Sequence, residues 1–302
     1  MRLSAIVPAT NDPPTLGACL RAIEDSTRRP DETVVVRESE LAGPAAARNA
    51  GAEAATGDVL VFVDADVAVH PDAFDRVEQA FVATPDLAAL FGSYDDDPRG
   101  GTLVSDFRNL LHHHVHQTSA GEASTFWAGL GAIRRDVFAA VGGFDTARFQ
   151  VPSVEDIELG MRVTDAGGRI VLDPTVQGRH LKVWTLPQMV HTDVVKRGIP
   201  WTLLLLARRG STSALNLGWR HRLGALASLA GAAALVLRRP LLAAGSLAAL
   251  LALHRPFYAL LRRRLGARGV VAGVGLHAIH HLSGVVSVPA AIVRHLRERR
   301  PR

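Results

Sequence analysis

The chain opens with short, dense apolar runs separated by stretches whose apolar residues recur at helical spacing. Leu3 to Val7 reads as a strand ended by Pro8, and Ala-Thr-Asn-Asp-Pro-Pro after it is turn chemistry. Leu16, Cys19, Leu20 and Ile23 share a helix face, with Thr15 placed to cap it. Thr33 to Val36 is a second strand. Pro44 to Ala55 is an Ala-rich helix entered through Gly43, with proline in its first turn. Val59-Leu60-Val61-Phe62-Val63 is apolar at every position, the mark of a strand covered on both faces. A helix over Pro71 to Val82 and a strand over Leu87 to Tyr94 continue the alternation. This order predicts an α/β fold with a parallel, doubly wound sheet. Right-handed crossovers put the strand ends at Pro8, Arg37 and Asp64 along one edge, where one ligand can touch all three loops.

From Trp201 the pattern changes. Leu203–Ala207, Leu223–Leu237, Leu241–Leu253 and Val270–Val293 are apolar, and arginines punctuate them. At 1.5 Å per residue Val270–Val293 reaches about 36 Å, enough for a hydrocarbon core of ~30 Å. The two middle runs fall short, and form a shallow hairpin or span with snorkelling flanks and a thinned bilayer. Arg255 to Arg268 reads as an interfacial amphipathic segment. The positive-inside rule asks that both Arg197–Arg222 and the tail Arg294–Arg302 be cytoplasmic, which needs an even number of crossings. Two or three crossings both remain open. The soluble alternative is a buried helical bundle.

Charge sharpens this division. Residues 1–196 carry 17 Lys+Arg and 28 Asp+Glu, a net of −11, whereas residues 197–302 carry 17 Arg and one acid, Glu298, a net of +16. Arginines flanking apolar runs suit anionic lipid headgroups better than nucleic acid. The single cysteine, Cys19, allows no internal disulfide and suits a reducing compartment. The opening MRLSAIVP enters a strand at once, and no signal peptide is expected from it.

Asp64-Ala65-Asp66 closes the apolar strand. Two carboxylates this close repel unless a cation lies between them. One reading is a divalent metal site holding a phosphorylated ligand; the other is a polar strand-to-loop transition. Arg48-Asn49 can aim at a phosphate and brace the metal loop, or form a solvated helix face, and the residues alone favour the latter. Glu155-Asp156 opens a helix, where carboxylates cap and where the dipole holds one ionised for use as a base. His112-His113-His114-Val115-His116 places His112 and His116 at i, i+4, but no carboxylate follows at ligand spacing and Phe107, Leu110, Leu111 and Val115 make it an amphipathic helix. Some of these histidines are candidates to line an acceptor cleft. Asp95-Asp96-Asp97 before Pro98 reads as a solvated turn, or else as part of the acceptor or metal rim. Trp127 and Trp184 stack on sugar faces or merely pack.

IVPATND followed by AAARNAGAEAATGDVLVFVDAD, and FWAGLGAIRRDVFAAVGGFD with VEDIELGMRVTDAGGRIVLDP further on, resembles a family 2 glycosyltransferase of the GT-A fold. The resemblance covers roughly residues 3 to 185. It implies that Asp64, Ala65 and Asp66 meet the donor, with Asp64 and Asp66 holding Mg²⁺ or Mn²⁺ on its diphosphate and His180 completing the coordination. It makes Asp156, second of the Glu155-Asp156 catalytic pair, the base. It places Pro8, Ala9 and Asn11 at the donor's base and ribose, adds Arg48 and Asn49 to the donor side, and gives Trp127, Ala128 and Gly129 to the acceptor. An Asp pair often ends the family's second strand; Arg37-Glu38 stands here, so Glu38 is the candidate carboxylate for the nucleobase. Arg197 and Trp201 match a segment that in membrane-bound relatives runs along the interface and closes over the donor; a linker with an anchoring Trp is the alternative.

The expected organisation is a GT-A nucleotide-sugar-binding and catalytic domain over residues 1–195, an interface connection over 196–222, and membrane-associated helices with a basic tail over 223–302. The expected activity is inverting, metal-dependent transfer of a sugar from a nucleotide-sugar donor to a lipid, lipid-linked or polysaccharide acceptor, at the cytoplasmic face of the cell membrane, with anionic lipids as partners and no nucleic acid. Its rivals are a sugar nucleotidyltransferase, which wants a Gly-rich basic loop that Pro8–Pro14 lacks, and a non-catalytic nucleotide-sugar-binding membrane protein.

Overall fold

The computed structural model describes residues 1–10, 12–38, 43–98, 100–208 and 218–298. Asn11 therefore lies outside the described residues. The chain divides into two compact units, one formed by residues 1–99 and 115–182, the other by residues 100–114 and 183–302.

The first unit is built on a mixed sheet. Its strands are β1 (Leu3–Pro8), β2 (Glu32–Val36), β3 (Val59–Val63), β4 (Val67–Val69), β5 (Leu87–Tyr94), β6 (Gly121–Ala123), β7 (Leu130–Arg134) and β8 (Arg169–His180). They run in the order β2-β1-β3-β7-β5-β8-β4, with β6 paired to β8. The β2-β1-β3 portion is parallel, with Ala5 opposite both Thr33 and Val61. β7 then enters antiparallel between β3 and β5, because the chain returns to the sheet from the far side after a long excursion. The parallel reading thus holds for the first three strands and the β5–β8 pair, and the sheet as a whole is mixed.

All five residues of β3 are buried, as its unbroken apolar run predicts. Val59, Val61 and Val63 join the core shared with Leu3, Ala5, Val7, Phe74 and Phe81, while Phe62 points the other way, edge-on to Phe126 and Phe144. Helices α2 (Pro44–Ala54) and α3 (Ala73–Ala83) match the predicted spans closely, and α1 (Leu16–Glu24) carries the expected apolar face. Thr15 does not cap α1 with its side chain: its backbone is already helical and its carbonyl accepts from Ala18 and Cys19. Helices α5 (Arg135–Ala140) and α6 (Glu155–Asp165) complete the unit, and α4 (Leu103–Thr118) gives its last turn to it.

The second unit is helical: α7 (Leu186–His191), a π-helical turn over Thr192–Gly198, α8 (Ile199–Arg208), α9 (Trp219–Val236), α10 (Pro240–Leu253) and α11 (Arg255–Glu298). A capping box between Thr185 and Gln188 starts α7. Gly198 lets the π turn approach α11, since a Cβ there would sit 2.2 Å from Ser287 Oγ. α11 is broken at Gly266, whose φ of 68° is open to glycine. The break separates the expected amphipathic stretch from the apolar run after it. Among the described residues α11 is the one helix long and apolar enough to cross a membrane, and α10 is a shorter apolar helix. A buried ion network ties this unit together: Arg108 Nη1 donates to Asp193 Oδ1 at 2.6 Å and His280 Nδ1 lies 2.7 Å from Asp193 Oδ2. Burial alone would raise the Asp193 carboxyl; Arg108 and His280 beside it overcome that and hold it well below the usual carboxylate range.

Candidate active site

The C-terminal end of β3 is where the first unit gathers its charge. The Asp64 N–H donates to Gly129 O at 3.0 Å, so the loop before β7 fixes the start of the Asp-Ala-Asp turn. A second bond, Leu181 N–H to Asp66 O at 2.7 Å, fixes its end against the residue after β8. Ala65 is buried between them.

Arg48 is not on a solvated helix face. It is buried, its guanidinium donating to Asp64 Oδ1 at 2.7 Å and to Glu155 Oε1 at 3.0 Å, over the Phe144 ring. Helical periodicity marks Arg48 as polar surface, but the partners that let it be buried lie 16 and 107 residues away. Asn49 is committed too: its amide donates to Phe144 O and accepts from Phe144 N–H, tying α2 to the Gly-Gly-Phe-Asp turn. Gly143 in that turn has φ 66°, and a Cβ on it would meet Asn49 Oδ1 at 2.8 Å.

The two aspartates sit in different fields. Burial pushes the Asp64 carboxyl up, and Asp66 adds to this against the pull of Arg48. For Asp66 burial also raises, but His180 and Lys182 outweigh it and the carboxyl is lowered. Asp66 Oδ2 lies 3.6 Å from His180 Nε2. That is long for a hydrogen bond. It suits two donors of one ion with bonds of about 2.1 Å, which stand roughly 3–4 Å apart. Two carboxylates and one imidazole fit Mg²⁺ or Mn²⁺, the imidazole leaning toward Mn²⁺. His180 is buried and its ring is held in plane by Tyr94, stacked at 4.3 Å with an 11° tilt.

Tyr94 in turn meets Trp127 edge-on at 4.9 Å, and Trp127 meets His116 at 5.3 Å. His116 Nδ1 bonds Gly92 O at 2.8 Å, so this histidine is anchored to β5. The Trp127 ring folds over Gly129, where a Cβ would come within 2.4 Å of it. Glycine is required there if the indole is to lie where it does. Trp184, by contrast, belongs to the second unit, where its backbone bonds Ser105 and Arg108 lies over its ring.

Glu155 and Asp156 open α6 but differ sharply. Glu155 is buried, with Oε1 on Arg48 and Oε2 accepting from Ser153 N–H at 2.8 Å. Asp156 is half-buried, and its Oδ2 accepts from Ala128 N–H at 3.2 Å, joining it to the acceptor-side loop. Neither carboxylate caps α6 through a side-chain bond from the N-cap position, which is Val154.

The remaining sequence candidates lie around the ends of β1 and β2. Pro8 ends β1, and Ala9 is buried with its N–H on Val36 O. Arg37 pairs with exposed Asp12 at 2.5 Å, and Glu38 is exposed beside them. Arg197 and Trp201 lie in the second unit, Arg197 exposed on the π turn and Trp201 in α8 with its indole N–H buried and unpartnered.

The acidic run before Pro98 departs from the first of its two readings. Asp95 is not in a solvated turn: it is buried, bonded to His70 Nε2 at 2.9 Å, with Arg179 Nε 3.4 Å away, and Arg179 also pairs with Asp97 at 3.1 Å. The three come from the ends of β4, β5 and β8, and no local spacing links them. Cys19 donates weakly to Asp64 O, and burial pushes its thiol up to about 12, so it is an inert packing residue.

A β2-β1-β3 parallel half, an antiparallel β7 and a carboxylate pair at the end of β3 are the layout of a GT-A glycosyltransferase domain. Residues 29–142 match the family model described as Glycosyl transferase family 2, and this stretch is a family 2 glycosyltransferase domain. The chain is similar to a glucosyl-dolichyl phosphate glucuronosyltransferase of Haloferax volcanii, 28% identical over 138 residues that make up 41% of either chain. It is also similar to glycosyltransferase AglE of the same organism, 25% identical over 206 residues, 59% of this chain and 66% of that one. It thus spans about two fifths of the first relative. In fold it is similar to the mannosyltransferase PcManGT of Pyrobaculum calidifontis, solved with GDP-Man and Mn²⁺, at a TM-score of 0.52 and 20% identity over 99% of this chain and 88% of that one.

Proposed function

We propose that the chain is an inverting, metal-dependent glycosyltransferase that moves a sugar from a nucleotide-sugar donor to a lipid or lipid-linked acceptor at the cytoplasmic face of a membrane. The observation that carries this is that His180 lies against Asp66, two residues from Asp64 at the end of β3, with Asp156 joined to the neighbouring loop through Ala128. Asp64, Asp66 and His180 would hold Mn²⁺ or Mg²⁺, and the bound ion supplies Lewis-acid stabilisation to a departing diphosphate.

The protein's own groups do the rest. Glu155 neutralises and orients Arg48, and Arg48 holds one oxygen of Asp64, leaving the other free to face the ligand. Tyr94 keeps the His180 ring in position. Pro8, Ala9 and Glu38 would meet nucleoside and ribose, and Asn49 braces the Gly-Gly-Phe-Asp turn. Asp156, at the start of α6 where the helix dipole favours a carboxylate, takes the proton from the acceptor hydroxyl. The acceptor oxygen bonds to the anomeric carbon as that carbon's bond to the diphosphate oxygen breaks, and the nucleoside diphosphate leaves with the bonding pair. Attack from the face opposite the leaving group inverts the centre. A positioned base contributes ~10²- to 10⁴-fold.

A lipid acceptor is supported by α11, by the arginine-rich C-terminal third, and by the dolichyl phosphate in the name of the Haloferax relative. The arginines also favour a cytoplasmic catalytic domain, and Arg197 and Trp201 are suited to a membrane interface. Membranes carrying the protein, given a panel of nucleotide sugars with Mn²⁺, Mg²⁺ or chelator, test the reading. One donor should yield nucleoside diphosphate and a new glycolipid by mass spectrometry of the extracted lipids, and chelator should stop both. Donor binding without any release would favour the non-catalytic rival; formation of a sugar nucleotide from a triphosphate would favour the nucleotidyltransferase.

A further inference from the structure

The second unit holds a group of side chains that glycosyl transfer does not use. His254 caps the C-terminal end of α10, and His277 and His281 lie one turn apart on α11. All three are buried. Each offers a ring nitrogen, and the three atoms lie within 4.8 Å of one another. The Nε2 atoms of all three are buried with no hydrogen-bond partner. Buried polar atoms in native folds are almost always satisfied, because an unmade bond in a low-dielectric interior is costly. Three such atoms converging on one place point to something that binds there.

The space they face is kept open by one residue. Gly224 on α9 has no side chain, and a Cβ on it would lie 2.5 Å from His254 Nε2 and 2.7 Å from His281 Nε2. His221, one turn earlier on α9, brings its ring to 5.6 Å from that of His254. Tyr258 fixes the orientation of His277, its hydroxyl 3.0 Å from Nδ1. With Nδ1–H donating to that oxygen, Nε2 carries the lone pair, the arrangement in which outer partners set the tautomer of metal-bound histidines. Among the described residues the ligand-bearing side chains grouped here are histidines, with no Asp, Glu or Cys among them, so the donor set is imidazole alone and suits zinc or a neighbouring transition ion rather than Mg²⁺ or Ca²⁺.

We infer that His254, His277 and His281 form a transition-metal site, with zinc as the fitting ion and His221 or a water as the fourth ligand, that fastens the end of α10 to α11. Tetrahedral Zn–N bonds of about 2.0–2.1 Å bring donor nitrogens to roughly 3.4 Å, so small ring movements close the site around the ion. It is separate in chemistry from the Asp64, Asp66 and His180 set, whose oxygens suit a harder cation.

The test uses the full chain in detergent micelles, purified without a histidine tag, loaded with Zn²⁺ and dialysed, with metal measured by plasma mass spectrometry. About one zinc per chain should remain, and Co²⁺ in its place should give the visible absorption of a tetrahedral nitrogen site. The double variant His277→Gln, His281→Gln and the single variant Gly224→Ala should each lose the ion at least tenfold, while Asp66→Ala should keep it. Gly224→Ala is the safer variant, since alanine favours the helix it sits in and circular dichroism would confirm that α9 is kept. Wild type without a retained ion, or either histidine-site variant with its zinc intact, would overturn the inference.

Discussion

The two units bury polar groups in opposite ways. In the first, buried ionic groups have charged or hydrogen-bonding partners: Arg48 lies between Asp64 and Glu155, and Asp95 between His70 and Arg179. In the second, acids are scarce, with Asp106, Asp193 and Glu298 against a crowd of arginines and histidines. Asp193 is spent on Arg108 and His280, and three imidazoles close by are left with unsatisfied nitrogens. The lesson is that a strongly acidic unit can pair its buried charge and still keep oxygen donors that would suit a hard cation. A basic, apolar unit has no carboxylates to spare and leaves imidazole nitrogens, which suit a borderline ion such as zinc.

Breaking the Arg48 network should cost most in stability. Arg48→Met leaves Glu155 buried and uncompensated, and should destabilise the first unit by about 3–5 kcal/mol, read as a lower midpoint in chemical denaturation. Removing a donor at the hard-cation set should act on affinity instead. Asp66→Ala should weaken Mn²⁺-dependent nucleotide-sugar binding by more than the ~10–100-fold that loss of an outer partner costs, by titration calorimetry, with little change in midpoint. Tyr94→Leu frees the His180 ring and should weaken Mn²⁺ binding on the order of 10-fold; Tyr94→Phe keeps the stack and should leave it unchanged.

The smallest effect tests the acidic unit away from its site. Ser4 hydroxyl and the Thr56 N–H hold Glu32 down to about 2, against an ordinary value of 4.5. A carboxyl lowered by folding stabilises above its unfolded value and loses that contribution as pH falls through its folded one. The stability gap between wild type and Glu32→Gln should therefore be present at pH 6, shrink from about pH 4.5 downward and close near pH 2, by thermal melts at each pH.

Much of this contrast was legible from residue order. The unbroken apolar run of β3 marked a doubly covered strand, and its closing Asp-Ala-Asp marked the candidate site, because burial and charge there are local properties. Arg48 and Asp95 were not: each looks like solvated surface in its own segment, and only partners brought in by other strands make burial tolerable. The antiparallel entry of β7 depends on how a long excursion closes, which periodicity does not encode. His277 and His281 stood out as the polar residues of an apolar run, but His254 and the space above Gly224 join them only through helix packing.

Asp156 tests the central claim most directly. Asp156→Asn keeps the size and the hydrogen bond from Ala128 while removing the base. Turnover of the true donor and acceptor should fall ~10²- to 10⁴-fold, with donor affinity by calorimetry unchanged. An Asn variant that transfers sugar at the wild-type rate would contradict the account.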